Sequence, residues 1–292
     1  MKKKTAKANK EKFPIVGIGA SAGGLEALER FFENMPSDAG IAFVVIQHLD
    51  PKHKSIMASL LEKYTKMKIF EVKDGMPVKK NSIYLTPPNK NIEIMNGVFY
   101  LLELDKTKVV NLPINHFFKS LSNEQAEKAI CIILSGTGSD GTQSLKTIKA
   151  AGGMIMVQEE KQAKYDGMPH NAIETGLVDY VLPVEKMPEI LLKYIKHPIL
   201  IKQSKQDYKQ QFDKHLNKIF AIIRAQTGHD FSNYKKNTIQ RRIERRLAVH
   251  QIERISDYLQ YLQQTPAEVD ILMKEMLITV TNFFRDPESF EV

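Results

Sequence analysis

Along the first two thirds of the chain, apolar positions come in short dense runs set between stretches of helical spacing. Residues 13–18, 41–46, 68–72, 130–134 and 154–157 are rich in β-branched side chains, too short for helices, and continuous rather than alternating. Between them, 24–34, 55–64, 142–151 and 171–175 carry the 3.6-residue pattern. Strands apolar on both faces, alternating with helices, predict a doubly wound, mainly parallel α/β sheet covered on both sides. One pair breaks the rhythm. Asn96-Gly97 joins the apolar runs 92–95 and 98–102, and that dipeptide between two such runs predicts an antiparallel hairpin, expected at the edge of the sheet.

Beyond residue 196 the spacing changes. Residues 198–210 are polar and rich in Lys and Gln and read as a linker. Residues 212–226, 237–250, 255–263 and 267–277 show helical period only, so a small all-α domain is expected. On a helical wheel, 237–250 places Ile239, Ile243 and Leu247 on one stripe. Arg241, Arg242 and Arg245 fall within about 100° of one another on the far side, with Arg246 at the border. The expected division is a disordered basic tail at 1–12, an α/β domain at 13–197, the linker at 198–210 and a helical domain at 211–292.

Composition sharpens this without redirecting it. The chain has 292 residues, 42% of them apolar, with 42 Lys and Arg against 34 Asp and Glu for a net +8. Residues 1–12 hold six Lys and one Glu, and 202–254 hold 13 Lys and Arg against five Asp and Glu. The remainder is therefore net acidic, and the basic character is local. A lone cysteine, Cys131, excludes an intramolecular disulfide and a Cys-based zinc site, as expected of a protein in a reducing cytoplasm. No apolar run reaches the ~20 residues of a membrane span, so membrane insertion is not expected.

The candidate chemistry starts at the first strand-to-helix turn. Gly17, Gly19, Gly23 and Gly24 can serve simply for a tight turn and close strand–helix packing. Gly17-x-Gly19-x-x-Ala22 also fits the loose form of a dinucleotide phosphate fingerprint, although Gln47-His48 stands where an acidic residue is expected. Gly19-Ala20-Ser21-Ala22-Gly23 is in addition G-x-S-x-G, whose small flanks let a sharp turn hold a serine hydroxyl clear of the sheet. A turn after a strand C-terminus lies where open α/β sheets place their ligands, which makes Ser21 the leading nucleophile. Serine needs a histidine to take its proton and a carboxylate to orient that ring. His48 follows the second predicted strand and emerges at the same edge. Asp140 lies in Ser135-Gly136-Thr137-Gly138-Ser139-Asp140-Gly141, the next glycine-dense turn. Capping the following helix is its plainer role, orienting His48 its functional one.

Four motifs in order, G-I-G-A-S-A-G-G, V-I-Q-H, I-L-S-G-T-G-S-D-G and D-G-M-P-H-N-A-I, resemble the catalytic domain of the chemotaxis protein-glutamate methylesterases, the CheB family, over about residues 13–196. The resemblance implies a Ser21–His48–Asp140 triad and oxyanion donors in the backbone amides of Ala22 and Thr137. It also implies hydrolysis of glutamate γ-methyl esters on the methylated cytoplasmic helices of chemoreceptors. Glutamine deamidation would follow from the same acyl chemistry, and no cofactor is needed. Family members usually carry threonine after the serine and often methionine at the Thr137 position, but both positions act through backbone N–H groups. The receiver domain that usually precedes the esterase is absent from this chain, so regulation by an attached receiver is not expected.

Residues 215–292 are similar to the N-terminal helical domain of the chemotaxis receptor methyltransferases, the CheR family, through F-A-I-I-R-A-Q-T-G-H-D-F, N-T-I-Q-R-R-I-E-R-R-L and T-V-T-N-F-F-R-D. This implies the front part of a bifunctional methylesterase and methyltransferase. Thr281 and Arg285 then belong to a partial S-adenosylmethionine site, with Thr279 at a position often held by asparagine. The methyltransferase catalytic domain is expected beyond Val292, so S-adenosylmethionine is not expected to bind this chain well. Arg241, Arg242 and Arg245 are expected to dock on the acidic receptor helices, since no nucleic-acid recognition module accompanies them. The alternatives are a catalytically inactive receptor-docking scaffold and a nucleotide-binding α/β protein.

Overall fold

A computed structural model describes residues 13–47, 57–104, 111–200 and 206–278, with side chains from 212 onward in the last stretch. The first part runs β1 (Ile15–Ala20), α1 (Gly24–Glu33), β2 (Ala42–Gln47), α2 (Met57–Leu61), β3 (Lys68–Glu71), β4 (Ser82–Leu85), β5 (Lys90–Met95), β6 (Val98–Glu103) and α3 (Pro113–Gln125). It continues through β7 (Ile130–Ile133), α4 (Thr142–Ala151), β8 (Met154–Gln158), α5 (Gly167–Glu174), β9 (Tyr180–Leu182) and α6 (Met187–Ile195). Seven strands form one sheet in the order β3-β4-β2-β1-β7-β8-β9, and every pairing in it is parallel.

The strands are apolar throughout because both faces are covered. Leu28 and Phe31 of α1 and Met187 and Leu191 of α6 pack on one face with Ile18, Phe43 and Met156. Phe117 and Phe118 of α3, Leu145 of α4 and Met168 of α5 pack on the other with Val44, Ile133 and Val157. Alternate residues of each strand feed opposite layers, as the two-residue period requires. Cys131 sits inside the second layer, where burial pushes its thiol well above the ordinary range. That environment makes it an inert core residue.

Three sequence expectations change here. The Asn96-Gly97 hairpin forms, with Met95 opposite Val98, but as a separate two-stranded sheet. It lies on α3, whose Ser120 hydroxyl donates to the Ile94 carbonyl and accepts from the Ile94 amide. Strands β4 and β9 and helices α3 and α6 were not among the predicted elements. The linker is shorter than expected, because residues 206–210 already belong to the helix α7 (Gln206–Thr227).

Three more helices follow, α8 (Lys236–Val249), α9 (Ile255–Gln264) and α10 (Pro266–Leu277). Ile239, Ile243 and Leu247 of α8 join Ile219 and Ile223 of α7, Tyr258 and Leu262 of α9 and Leu272 of α10 in a third core, as the wheel anticipated. Among the described residues no helix is long and apolar enough to cross a membrane.

The polar side of α8 is where the wheel misleads. Arg242 and Arg245 are buried, as is Arg246, because that side faces the α/β unit. Arg242 donates to the Lys149 carbonyl at 2.5 Å and the Ala150 carbonyl at 2.6 Å, at the C-terminal end of α4, where carbonyls lack helical partners and the helix dipole favours a cation. Arg245 donates to the Gly153 carbonyl at 2.9 Å, to both carboxylate oxygens of Glu275 at 2.7 and 2.9 Å, and to Asp179. Lys149 reaches Asp179 at 2.6 Å and Glu275 at 3.0 Å, and Arg246 pairs with Glu268. Three cations thus meet three carboxylates. Burial works against each charge, yet Arg245, Lys149 and Arg246 hold Asp179 well below the usual carboxylate range. Only Arg241 of the predicted docking trio stays exposed, 3.5 Å from Glu127.

Candidate active site

The winding of the sheet locates its crevice. From β1 the chain moves one way to β2 and β4, then returns to β7 on the other side of β1. The C-terminal ends of β1 and β7 therefore flank a topological switch point, where open α/β sheets hold ligands. Ser21 follows β1 directly, and the turn from Ser135 to Gly141 lies between β7 and α4. Ala20 and Gln47 are register partners, so Ser21 and His48 are the next residues after two paired strand ends. His48 itself lies outside the described residues, as do Thr281, Arg285 and the tail 1–12.

Gly17 and Gly19 are inside β1 and paired on both sides, so they do not form a phosphate loop. A Cβ on Gly19 would lie 2.6 Å from Ile114 Cγ2, and one on Gly17 would lie 2.9 Å from Phe118 Cε1. These two glycines let α3 close onto the strand, which removes the physical basis of the dinucleotide reading. Gly23 is different. Its φ of 72° precedes α1, and this left-handed backbone, open to glycine at little cost, makes the sharp exit that leaves Ser21 at the crest of the turn.

The turns after β1 and β7 are held face to face. The Ser21 amide donates to the Ser135 carbonyl at 3.0 Å. A Cβ on Gly136 would come within 2.8 Å of Ser21 Cβ and 2.3 Å of Met168 Sδ, so only glycine allows this approach. The two candidate oxyanion amides are aimed by their own peptide planes. The Ser21 carbonyl accepts from Gly24 N at 2.9 Å and the Gly136 carbonyl from Met168 N at 2.8 Å. In a trans peptide the following N–H points opposite to the carbonyl, so Ala22 and Thr137 direct theirs away from those anchors. Among the described residues neither amide has an acceptor.

Asp140 is buried, and its carboxylate accepts from Ile114 N and Asn115 N, both at 2.9 Å, and from Gly141 N at 2.8 Å. It therefore caps α3, which begins with a proline and has no side-chain cap of its own, rather than the helix that follows it. Asn115 returns the arrangement, accepting from Ser144 N in the first turn of α4 at 2.9 Å. The two helix N-termini cap each other, and the carboxylate is fixed by charge-assisted bonds in a positive end field.

Sequence reasoning passed over Ser135 and Asn171. Ser135 is buried; its hydroxyl lies 2.9 Å from the Ala22 carbonyl and 3.2 Å from the Tyr165 carbonyl and accepts from Tyr165 N at 3.0 Å. Asn171 donates to the Gly138 carbonyl at 3.0 Å and the Gly167 carbonyl at 2.7 Å. Both stand inside sequence motifs, Ser135 in I-L-S-G-T-G-S-D-G and Asn171 in D-G-M-P-H-N-A-I, where no spacing marks a serine or asparagine as a tie between turns.

Comparison with known proteins agrees with this geometry. The CheB methylesterase family profile matches residues 16–191, and the profile of the CheR methyltransferase all-alpha domain matches 214–277. A Rhodobacter capsulatus protein described as an uncharacterized 104.1 kDa protein in the hypE 3' region is 36% identical over 80% of this chain and 27% of its own length. A putative protein-glutamate methylesterase/protein-glutamine glutaminase of Leptospira interrogans is 33% identical over 62% of this chain and 94% of its own. The crystal structure of the Thermotoga maritima CheB methylesterase catalytic domain matches with a TM-score of 0.58 at 32% identity, covering 62% of this chain and 98% of that one. With its sheet, its serine turn and a family profile spanning most of the α/β unit, the chain belongs to the CheB methylesterase family and carries a CheR-type all-alpha domain behind it.

Proposed function

We propose that this chain hydrolyses glutamate γ-methyl esters on the methylated helices of chemoreceptors, and deamidates glutamine by the same acyl chemistry. The observation that carries the reading is the apposition of Ser21 with the Gly136–Thr137 peptide at the switch point of the sheet, with two amides aimed by anchored carbonyls. In this mechanism His48 takes the Ser21 proton as the hydroxyl attacks the ester carbonyl. The Ala22 and Thr137 amides receive the oxyanion, being preset dipoles that need no reorganisation as charge develops. His48 returns the proton to the departing methanol, then activates a water that releases the glutamate. Asp140, fixed by three amides, holds the imidazole in the required tautomer and stabilises its cation. Every step uses side chains and backbone of this chain.

The helical unit belongs to the same reading as the front of a methyltransferase. Thr281 and Arg285 would contribute to its S-adenosylmethionine site, and no step of ester hydrolysis passes through that cofactor. The deciding experiment compares methanol release from methylated receptor for the wild type and Ser21→Ala. Release that depends on Ser21 supports the proposal, and equal release from both removes the serine mechanism.

A further inference from the structure

The three turns that make the candidate active site come from distant parts of the chain, and a single side chain joins them. Ser135 contributes every polar group it has. Its amide donates to Gln158 Oε1 at 2.8 Å, at the end of β8. Its carbonyl accepts from Ser21 N at 3.0 Å. Its hydroxyl proton is shared between the Ala22 carbonyl at 2.9 Å and the Tyr165 carbonyl at 3.2 Å, while the oxygen accepts from Tyr165 N at 3.0 Å.

The consequences fall on both oxyanion amides. Ser21 and Ala22 are gripped on either side of the Ala22 N–H, one through the Ser135 carbonyl and the other through its hydroxyl. The Thr137 N–H depends on the Gly136 peptide, which is held by Tyr165 and Met168: Gly136 N donates to the Tyr165 carbonyl at 3.0 Å, and Met168 N to the Gly136 carbonyl at 2.8 Å. Tyr165 is in turn fastened by the Ser135 hydroxyl. The Ser135 hydroxyl is therefore the side-chain tie, beside these backbone bonds, that links the segments carrying the two amides.

We infer that Ser135 is a positioning residue for the oxyanion site, acting through its hydroxyl on the Ala22 and Thr137 amides. The inference rests on the serine-hydrolase reading above. Removing the hydroxyl leaves the Ala22 carbonyl and the Tyr165 amide short of a partner, while the Tyr165 carbonyl keeps its bond from Gly136 N, and it loosens the registry of the Ser21 and Tyr165 segments. A loss of registry on the ångström scale weakens transition-state binding far more than substrate binding.

The test uses the full chain with a methyl-esterified glutamyl peptide and, separately, a fluorophosphonate that labels Ser21. Ser135→Ala is expected to lower kcat about 10- to 100-fold with KM within about twofold, and to slow fluorophosphonate labelling by a similar factor. Ser135→Thr, which retains the hydroxyl, should restore both. Ser135→Cys, of similar size with a weaker hydrogen bond, should fall between, and carries the test if the alanine variant does not fold. A kcat unchanged in Ser135→Ala, or a rank order unrelated to hydroxyl strength, overturns the inference. If the wild type shows no Ser21-dependent turnover, the methyl-ester reading fails. The labelling rates, which need Ser21 and its amides but no glutamyl ester, still decide the role of Ser135.

Discussion

Two polar clusters among the described residues are built on opposite plans. At the C-terminal edge of the sheet the polar groups around Ser21 are mostly backbone amides and carbonyls, held within short turns by Ser135, Asn171 and Asp140. Between the two units the groups are the ends of long side chains, Lys149, Arg245 and Arg246 against Asp179, Glu268 and Glu275. Charge that appears only during a reaction is best met by fixed dipoles. Permanent charge out of water must be neutralised by an opposite charge with full hydrogen bonding. One plan leaves the Ala22 and Thr137 amides without an acceptor among the described residues, and the other sets each cation against a carboxylate.

This contrast can be broken at either end. Ser21→Ala should cut ester hydrolysis by at least about 10³-fold with an unchanged melting temperature, measured by methanol release and calorimetry. Arg245→Ala should do the reverse. Leaving Asp179 and Glu275 buried without their main cation is expected to cost about 3–5 kcal/mol, read from denaturant unfolding, while turnover per folded molecule at low temperature holds. A third test uses acid. Burial pushes the Glu268 carboxyl up, but hydrogen bonds from His250 and Arg246 outweigh it and bring it down from 4.5 to about 2. A depressed folded value means stability that is present above the ordinary range and lost as pH falls from about 4.5 through about 2. The expected loss is about 3 kcal/mol, and Glu268→Gln should flatten that part of the stability profile. Smallest of all should be Arg241→Ala. Its guanidinium is 63% exposed and 3.5 Å from Glu127, so a change within about 0.5 kcal/mol is expected, an order of magnitude below its neighbour four positions along.

The same contrast explains what could be read from the chain. The places of Ser21 and the Asp140 turn at the ends of β1 and β7 were legible because each follows a dense apolar strand and stands among glycines. The hairpin was legible from two residues, though its place on α3 was not, since nothing in 92–102 tells which surface will receive it. Strand β9 has only three residues and partly exposed side chains, too little pattern to separate from a loop. The role of Gly17 and Gly19 depended on α3, about a hundred residues later, and the cap that Asp140 supplies belongs to a helix that precedes it. Arg242 and Arg245 were misplaced for a related reason. A helical wheel shows which side is apolar, and cannot show that a polar side is buried against carbonyls and carboxylates from another unit.

Helix α4 touches both clusters. It starts beside Asp140 and Gly141 and ends near Lys149 and Ala150, whose carbonyls Arg242 holds. Ten residues of helix make a rod about 15 Å long. Pivoted at its clamped end, such a rod would carry its other end about 1 Å for a tilt of roughly 4°, a displacement large enough to cost an active site about a hundredfold. In mechanical terms the second unit grips the handle of a lever whose tip is the turn that carries Asp140.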